Sequence, residues 1–166
     1  MTTSKDQRLS LAAKRLSKAN EWLIREYLEI ATKDSENIER TLNILNDDCV
    51  WRITPPGIEF RGKDQLRPFI GMGMGSRSHR GRYRVEIRNC FTDGEHLCVE
   101  YFHGAIATRF RFKVAENVCL VCHMKDGKFD RIHEYVDTSG SILVSLGLRL
   151  LPFMTKGRRS KPKIEK

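Results

Sequence analysis

Glu134 is the residue best placed to do chemistry. In Lys128–Val136, alternation sends Ile132, Glu134 and Val136 to one face of a strand and Arg131, His133 and Tyr135 to the other. One carboxylate thus stands on an otherwise apolar face. Burial penalises the charged form of such an acid unless a cation or a hydrogen-bond donor compensates, so it can act as a general acid or base near neutral pH. The competing reading is a structural carboxylate satisfied by an arginine or histidine. His103 and His123 are further acid–base candidates, because imidazole titrates near neutrality. His103 alternates in step with Val99 and Tyr101, and His123 with Cys119 and Val121; a structural histidine is the plainer reading of each. Trp51, Ile53, Cys119, Val121, Ile132 and Val136 are the residues expected to line an apolar pocket around this chemistry. For Trp51, substrate stacking competes with an ordinary core position.

Two local patterns carry less than they promise. Cys119-Leu120-Val121-Cys122-His123 has the spacing of covalent haem attachment. It lies inside a strand, however, where alternation puts Cys119 and Cys122 on opposite faces, a poor arrangement for a shared metal. Neither a metal nor an organic cofactor is expected. Gly71-Met72-Gly73-Met74-Gly75-Ser76 lacks the preceding strand and following lysine of a phosphate-binding loop, and reads as a flexible flap.

The elements that must hold these residues follow from periodicity. Leu16, Ala19, Leu23, Tyr27 and Ile30 recur at steps of three and four, the stripe of an amphipathic helix. A second helix is expected from Ser35 through Leu45, ended by Asn46-Asp47-Asp48. Cys49–Ile53 reads as a strand stopped by Thr54-Pro55-Pro56-Gly57. A short strand at Glu59–Arg61 and a brief helix over Lys63–Ile70 follow. Beyond the Gly-Met run, strands are expected at Arg82–Cys90, His96–His103, Thr108–Val114, Val118–Lys125 and Lys128–Val136. Asp126-Gly127 marks a tight hairpin between the last two. The fold class is α+β: a cone-like curved antiparallel sheet packed on N-terminal helices and enclosing an apolar pocket.

Composition narrows the partners. The formal net charge is +9, yet it sits at the ends. Residues 1–18 hold five Lys or Arg against one Asp, and residues 156–166 hold six against one Glu. The stretch 19–155 is neutral, which argues against specific nucleic-acid recognition by the folded body. The division expected is a basic extension over 1–17, one domain over 18–152 and a basic tail over 153–166. Weak contact of that tail with an anionic surface competes with a merely solubilising role. Five cysteines, without scaffold spacing, secretory signal or an apolar run near the ~20 residues of a membrane span, read as reduced thiols in a cytoplasmic protein.

The order of elements, with Asp47-Asp48-Cys49-Val50-Trp51 leading to Pro56-Gly57, Phe60-Arg61-Gly62-Lys63, and Asp126-Gly127-Lys128 before His133-Glu134-Tyr135-Val136-Asp137-Thr138, resembles the SnoaL-like and ketosteroid-isomerase-like branch of the nuclear-transport-factor-two superfamily. The resemblance spans roughly residues 18–150. It implies an apolar small-molecule ligand, a homodimer through the open sheet face, and an acid near Glu134 lining the pocket. It also places Tyr27 about where such isomerases present a hydroxyl to a substrate carbonyl, a role set against that of a core tyrosine. The isomerase base corresponds here to Ile53 or Thr54, neither of which can shuttle a proton, so isomerisation by the same residues is not expected. The fold hosts isomerases, cyclases, hydrolases and non-catalytic binders alike. A cofactor-independent isomerase, cyclase or hydrolase and a non-catalytic binding or dimeric interaction module both remain open here.

Overall fold

A computed structural model describes residues 14, 18–27, 38–55, 57–77, 84–107, 112–137, 139, 149–150 and 158–159. Helix α1 covers residues 18–27, α2 Ile38–Asn43 and α3 Gly62–Arg77. The strands are β1 (Leu45–Thr54), β2 (Ile58–Arg61), β3 (Arg84–Thr92), β4 (His96–Ala107), β5 (Phe112–Lys125), β6 (Lys128–Val136) and β7 (Arg158–Arg159). They form one curved, unclosed sheet in the order β3-β4-β5-β6-β1-β2-β7. The α+β class and the helix-on-curved-sheet layout hold. The sheet is mixed rather than antiparallel throughout, because β1 lies parallel to β6. That junction joins residues about eighty apart in sequence, a long-range pairing that strand alternation cannot reveal.

A tight turn and a bulge together set the register that matters. Asp126 and Gly127 both take positive φ, 53° and 71°, the two-residue turn whose twist matches antiparallel strands. It pairs Lys125 with Lys128 and Met124 with Phe129, and a one-residue register shift between His123 and Met124 then sets Cys122 opposite Ile132 and Leu120 opposite Glu134 across β5 and β6. At the far end of β1, the Gly57 N–H donates to the Ile53 carbonyl at 2.9 Å, turning the chain back so that Trp51 faces Phe60. β3 pairs with β4 on both sides of a bulge between Ile87 and Asn89, which shifts the register by one.

The inner face of the sheet is a set of cross-strand rows. Cys90, Val99, Leu120, Glu134, Ile53 and Ile58 make one, and Thr92, Leu97, Cys122, Ile132, Trp51 and Phe60 the next. Leu23, Ile24 and Tyr27 of α1, Leu42 of α2, and Leu66 and Ile70 of α3 complete the buried core with these rows. Ion pairs link the roof: Arg40 of α2 with Glu26 of α1, and Arg67 of α3 with Glu39 of α2.

Several boundaries differ from the sequence reading. β1 begins at Leu45, so Asn46-Asp47-Asp48 lies in the strand instead of ending a helix. A register shift between Leu45 and Val50 lets Asp47 and Asp48 both face water, and Asp47 pairs with Lys63 at 2.7 Å. Helix α3 runs through the Gly-Met segment as far as Arg77, despite Pro68 inside it, so this segment is not a flap. Each glycine disfavours helix by about 1 kcal/mol, but Leu66 and Ile70 are buried and Phe69 stacks on Phe60 at 4.4 Å. Gly71 also admits a close neighbour, since a Cβ there would stand 3.2 Å from Ile38 Cδ1. The described part of the expected strand 108–114 and the expected strand 118–125 belong to one strand, β5 (Phe112–Lys125), and residues 108–111 lie outside the described residues. The polar Ala115-Glu116-Asn117 stretch of β5 stays paired to Gly104, His103 and Phe102. Arg158–Arg159 of the expected tail pairs with β2. The sequence over Ser141–Leu151 is largely apolar, but apart from residues 149–150 it lies outside the described residues.

Candidate functional site

Trp51 and Glu134 meet on the inner face. Trp51 sits beside Ile132 in the parallel register, one alternation from the pair Ile53 and Glu134. The indole Nε1–H donates to Glu134 Oε2 at 2.8 Å. Trp51 is 1% exposed, and two aromatic rings hold it edge-on: Tyr27 at 5.6 Å and Phe69 at 5.3 Å between centroids. A partly buried carboxylate is therefore held by a donor that the helical roof locks in place. An N–H bonded to a carboxylate oxygen satisfies the anion and fixes the direction of the group.

The structure brings Tyr27, Trp51, Ile53, Ile132, Glu134 and Val136 to this one side of the sheet. His103 also points inward, on the β4 face of Leu97, Val99 and Tyr101. It lies opposite Glu116, with Nδ1 3.8 Å from that carboxylate. His103 stands four positions along β4 from Val99, which shares the Glu134 row, a span of about 13 Å along the strand. His103 and Glu134 therefore do not form a hydrogen-bonded pair.

Cys119, Val121 and His123 are corrected: they project from the outer face, and cannot line a pocket on the Glu134 side. β5 is apolar on both faces, with Val118, Leu120 and Cys122 buried and Val121 43% exposed, so its alternation has no evident sign. Pairing with β6 decides it, because Leu120 and Cys122 meet the inward Glu134 and Ile132. His123 instead lies between Asp130 at 3.2 Å and Glu95 at 3.4 Å. Cys119 stands 3.7 Å from Cys98, sulfur to sulfur. Burial, followed by the hydrogen bond to Cys98, pushes its thiol up to about 11. Cys122, on the opposite face, is also raised by burial.

Sequence reasoning missed Phe69, whose ring reaches both Trp51 and Phe60, because α3 was not expected to pack over the site. It also passed over a polar cluster on the outer face. There His133 Nε2 lies 3.0 Å from Thr54 Oγ1, and Nδ1 lies 3.0 Å from the Tyr135 hydroxyl. Burial first, then the nearby Arg52 charge, holds the His133 imidazole below its ordinary pKa. The runs Arg52-Ile53-Thr54 and Arg131-Ile132-His133-Glu134-Tyr135 contain the alternation that could have signalled this cluster.

A curved sheet roofed by helices, with the Glu134 carboxylate held on its inner face by a buried indole, is an α+β, helix-capped fold. The sequence profile described as the SnoaL-like domain matches residues 24–132, about two thirds of the chain, and the protein belongs to that family. No curated protein matches it in sequence. Solved structures share the nuclear-transport-factor-two-like fold. A putative isomerase from Rhodopseudomonas palustris superposes with a TM-score of 0.63 at 17% identity, covering 76% of this chain and 95% of its own. An epoxide hydrolase of M. tuberculosis, described as LEH-like, gives 0.58 at 20% identity over 85% and 98%. The epoxide hydrolase/cyclase-like enzyme SalBIII, described for pyran ring formation in the polyether salinomycin, gives 0.61 at 14% over 74% and 92%. Among the described residues, no helix is long and apolar enough to cross a membrane.

Proposed function

We propose that the protein binds a small, largely apolar molecule against the inner face of its sheet, and that Glu134 transfers a proton in that molecule. The reaction class is a cofactor-independent isomerisation, cyclisation or hydrolysis of a carbonyl- or epoxide-bearing substrate. The observation that carries this reading is the 2.8 Å bond from Trp51 Nε1 to Glu134 Oε2. It orients one carboxylate on an apolar surface, as a general acid or base requires. Tyr27, packed against the same indole, is the companion hydroxyl that would position or polarise a substrate oxygen. Similarity of fold to an epoxide hydrolase and a cyclase-like enzyme supports the choice of reaction class.

The test begins with a thermal-shift screen of epoxides and cyclic ketones, followed by product analysis for each stabilising compound. Glu134→Gln keeps the shape and removes the proton site. Turnover should fall by about two orders of magnitude or more, with ligand stabilisation retained. Undiminished turnover in Glu134→Gln would remove Glu134 from the chemistry.

A second reading, a binding module without turnover, draws on the depth of Trp51. An indole that is 1% exposed and bonded to Glu134 is also what a purely structural pair looks like. This reading predicts a ligand that stabilises wild type and Glu134→Gln alike and is recovered unchanged from both.

A further inference from the structure

The outer face holds a second cluster, separated from Glu134 by the thickness of the sheet. A groove of about 600 Å³ is lined there by Arg52, Glu59, Val121, His123, Arg131 and His133, a volume common among small-molecule clefts. The carboxylates around it are engaged. Glu59 pairs with Arg61 at 2.6 Å. Asp130 lies 3.2 Å from His123 Nδ1 and 3.9 Å from Arg131 Nε. Glu95 lies 3.4 Å from His123 Nε2.

Arg52 differs from its neighbours. In register it stands between Glu59 of β2 and His133 of β6, yet among the described residues no ion pair reaches it, and its Nε is buried without a hydrogen-bond partner. A guanidinium stays charged at any physiological pH, and a buried charged donor left unmatched is costly. The group that completes this arrangement is a planar or tetrahedral oxyanion, which the guanidinium fork fits with two parallel bonds.

We propose that this groove binds a free small molecule through a phosphate or carboxylate gripped by Arg52, with Arg131 of the neighbouring strand beside it and Val121 against its apolar part. The volume suits such a ligand better than a broad protein surface, and the inference stands whether or not Glu134 is catalytic. His133 is a built-in reporter. Tyr135 touches its ring and Arg52 is the charge that acts on it; by register, Cys119 and His123 of β5 and Arg131 of β6 share this outer face, with Asp130 paired to His123. An anion bound at Arg52 offsets the positive charge that opposes protonation of the ring, so the His133 titration should move to higher pH.

The experiment follows the His133 ring resonances of the full chain by NMR during titration with inorganic phosphate and, separately, benzoate. Light scattering is recorded on the same samples. Wild type should show a saturable shift of His133 and a raised titration midpoint, at constant molecular mass. Arg52→Met should abolish both, and Arg52→Lys, which keeps the charge but loses the fork, should bind at least about tenfold more weakly. If Arg52→Met does not fold, Arg52→Lys and Arg131→Gln carry the comparison, and each should weaken binding. Equal responses in wild type and the variants would overturn the proposal. So would anion-driven dissociation of an oligomer, which would identify the natural occupant as a carboxylate of a second copy.

Discussion

Leu120 and Val121 are chain neighbours of similar chemistry with opposite fates. Leu120 is 1% exposed, beneath the helical roof and beside Glu134, whereas Val121 is 43% exposed on the outer face beside His133. The two sides of one sheet thus use similar apolar residues for different ends. On the inner side they exclude water around the Glu134 carboxylate directed by Trp51. On the outer side they alternate with arginines, histidines and hydroxyls that remain in contact with solvent. Burial on the inner face stabilises the fold, while the outer face contributes charge and hydrogen-bonding chemistry. The division should be measurable position by position.

Trp51 gives the largest expected effect. It contacts α1 and α3 and donates to Glu134, so Trp51→Ala removes a buried ring and leaves the carboxylate without this donor. Urea denaturation should show a loss of about 3–5 kcal/mol. Trp51→Phe keeps most of the packing and isolates the hydrogen bond, at about 1.5–3 kcal/mol. A Trp51→Phe protein as stable as wild type would show that the 2.8 Å contact does not hold the inner face together. The strand pair itself comes next. Leu120→Ala should cost about 2–5 kcal/mol, while Val121→Ala should stay within about 0.5 kcal/mol. Equal costs would erase the contrast between faces and show that Val121 is covered by something outside this chain's own fold.

How much of this division was legible in the sequence depends on whether one face of a strand is marked. In β6 it is: Glu134 stands between Ile132 and Val136, with charged and polar residues alternating opposite, so its inward direction could be read directly. β5 gives no such sign, because Cys119 and Val121 are as apolar as Leu120 and Cys122, and the assignment of Cys119 and Val121 to the pocket failed there. The partner of Glu134 was not legible either. Trp51 lies 83 positions away and meets it only because β1 pairs parallel to β6. The Asp126-Gly127 turn was legible because its chemistry is local. Helix α3 beyond Ile70 was not, because its glycines oppose helix locally and only packing of the helix against its neighbours sustains it.

Gly71 tests that last point with a smaller effect. If the segment is helix, Gly71→Ala gains about 1 kcal/mol of intrinsic propensity. Against this stands one close contact, a Cβ 3.2 Å from Ile38 Cδ1, which is the tip of a rotatable side chain and can move by a few tenths of an ångström. The net expectation is a gain of up to about 1 kcal/mol, read as a higher denaturation midpoint. A clear loss would mean that α2 and α3 are packed too tightly there to yield.

The smallest effect belongs to the outer face and concerns pH. The folded pKa of His133 lies below its ordinary value of 6.5, chiefly through burial and then through Arg52. Between the folded value and 6.5, the unfolded chain binds a proton that the folded chain does not. Stability from this residue is therefore complete above 6.5, declines as pH falls through that window, and levels off below the folded pKa. The contribution is modest, because solvent reaches the half-buried ring. Subtracting the pH profile of His133→Gln from that of wild type isolates it from carboxylates such as Asp93, which backbone N–H groups of His96 and Glu95 hold at about 2. The difference should grow in favour of the variant as pH falls below 6.5. A difference of the opposite sign would mean that the folded protein stabilises the imidazolium. The outer face would then behave as an acidic surface around His133, and Arg52 would not govern the charge of the groove.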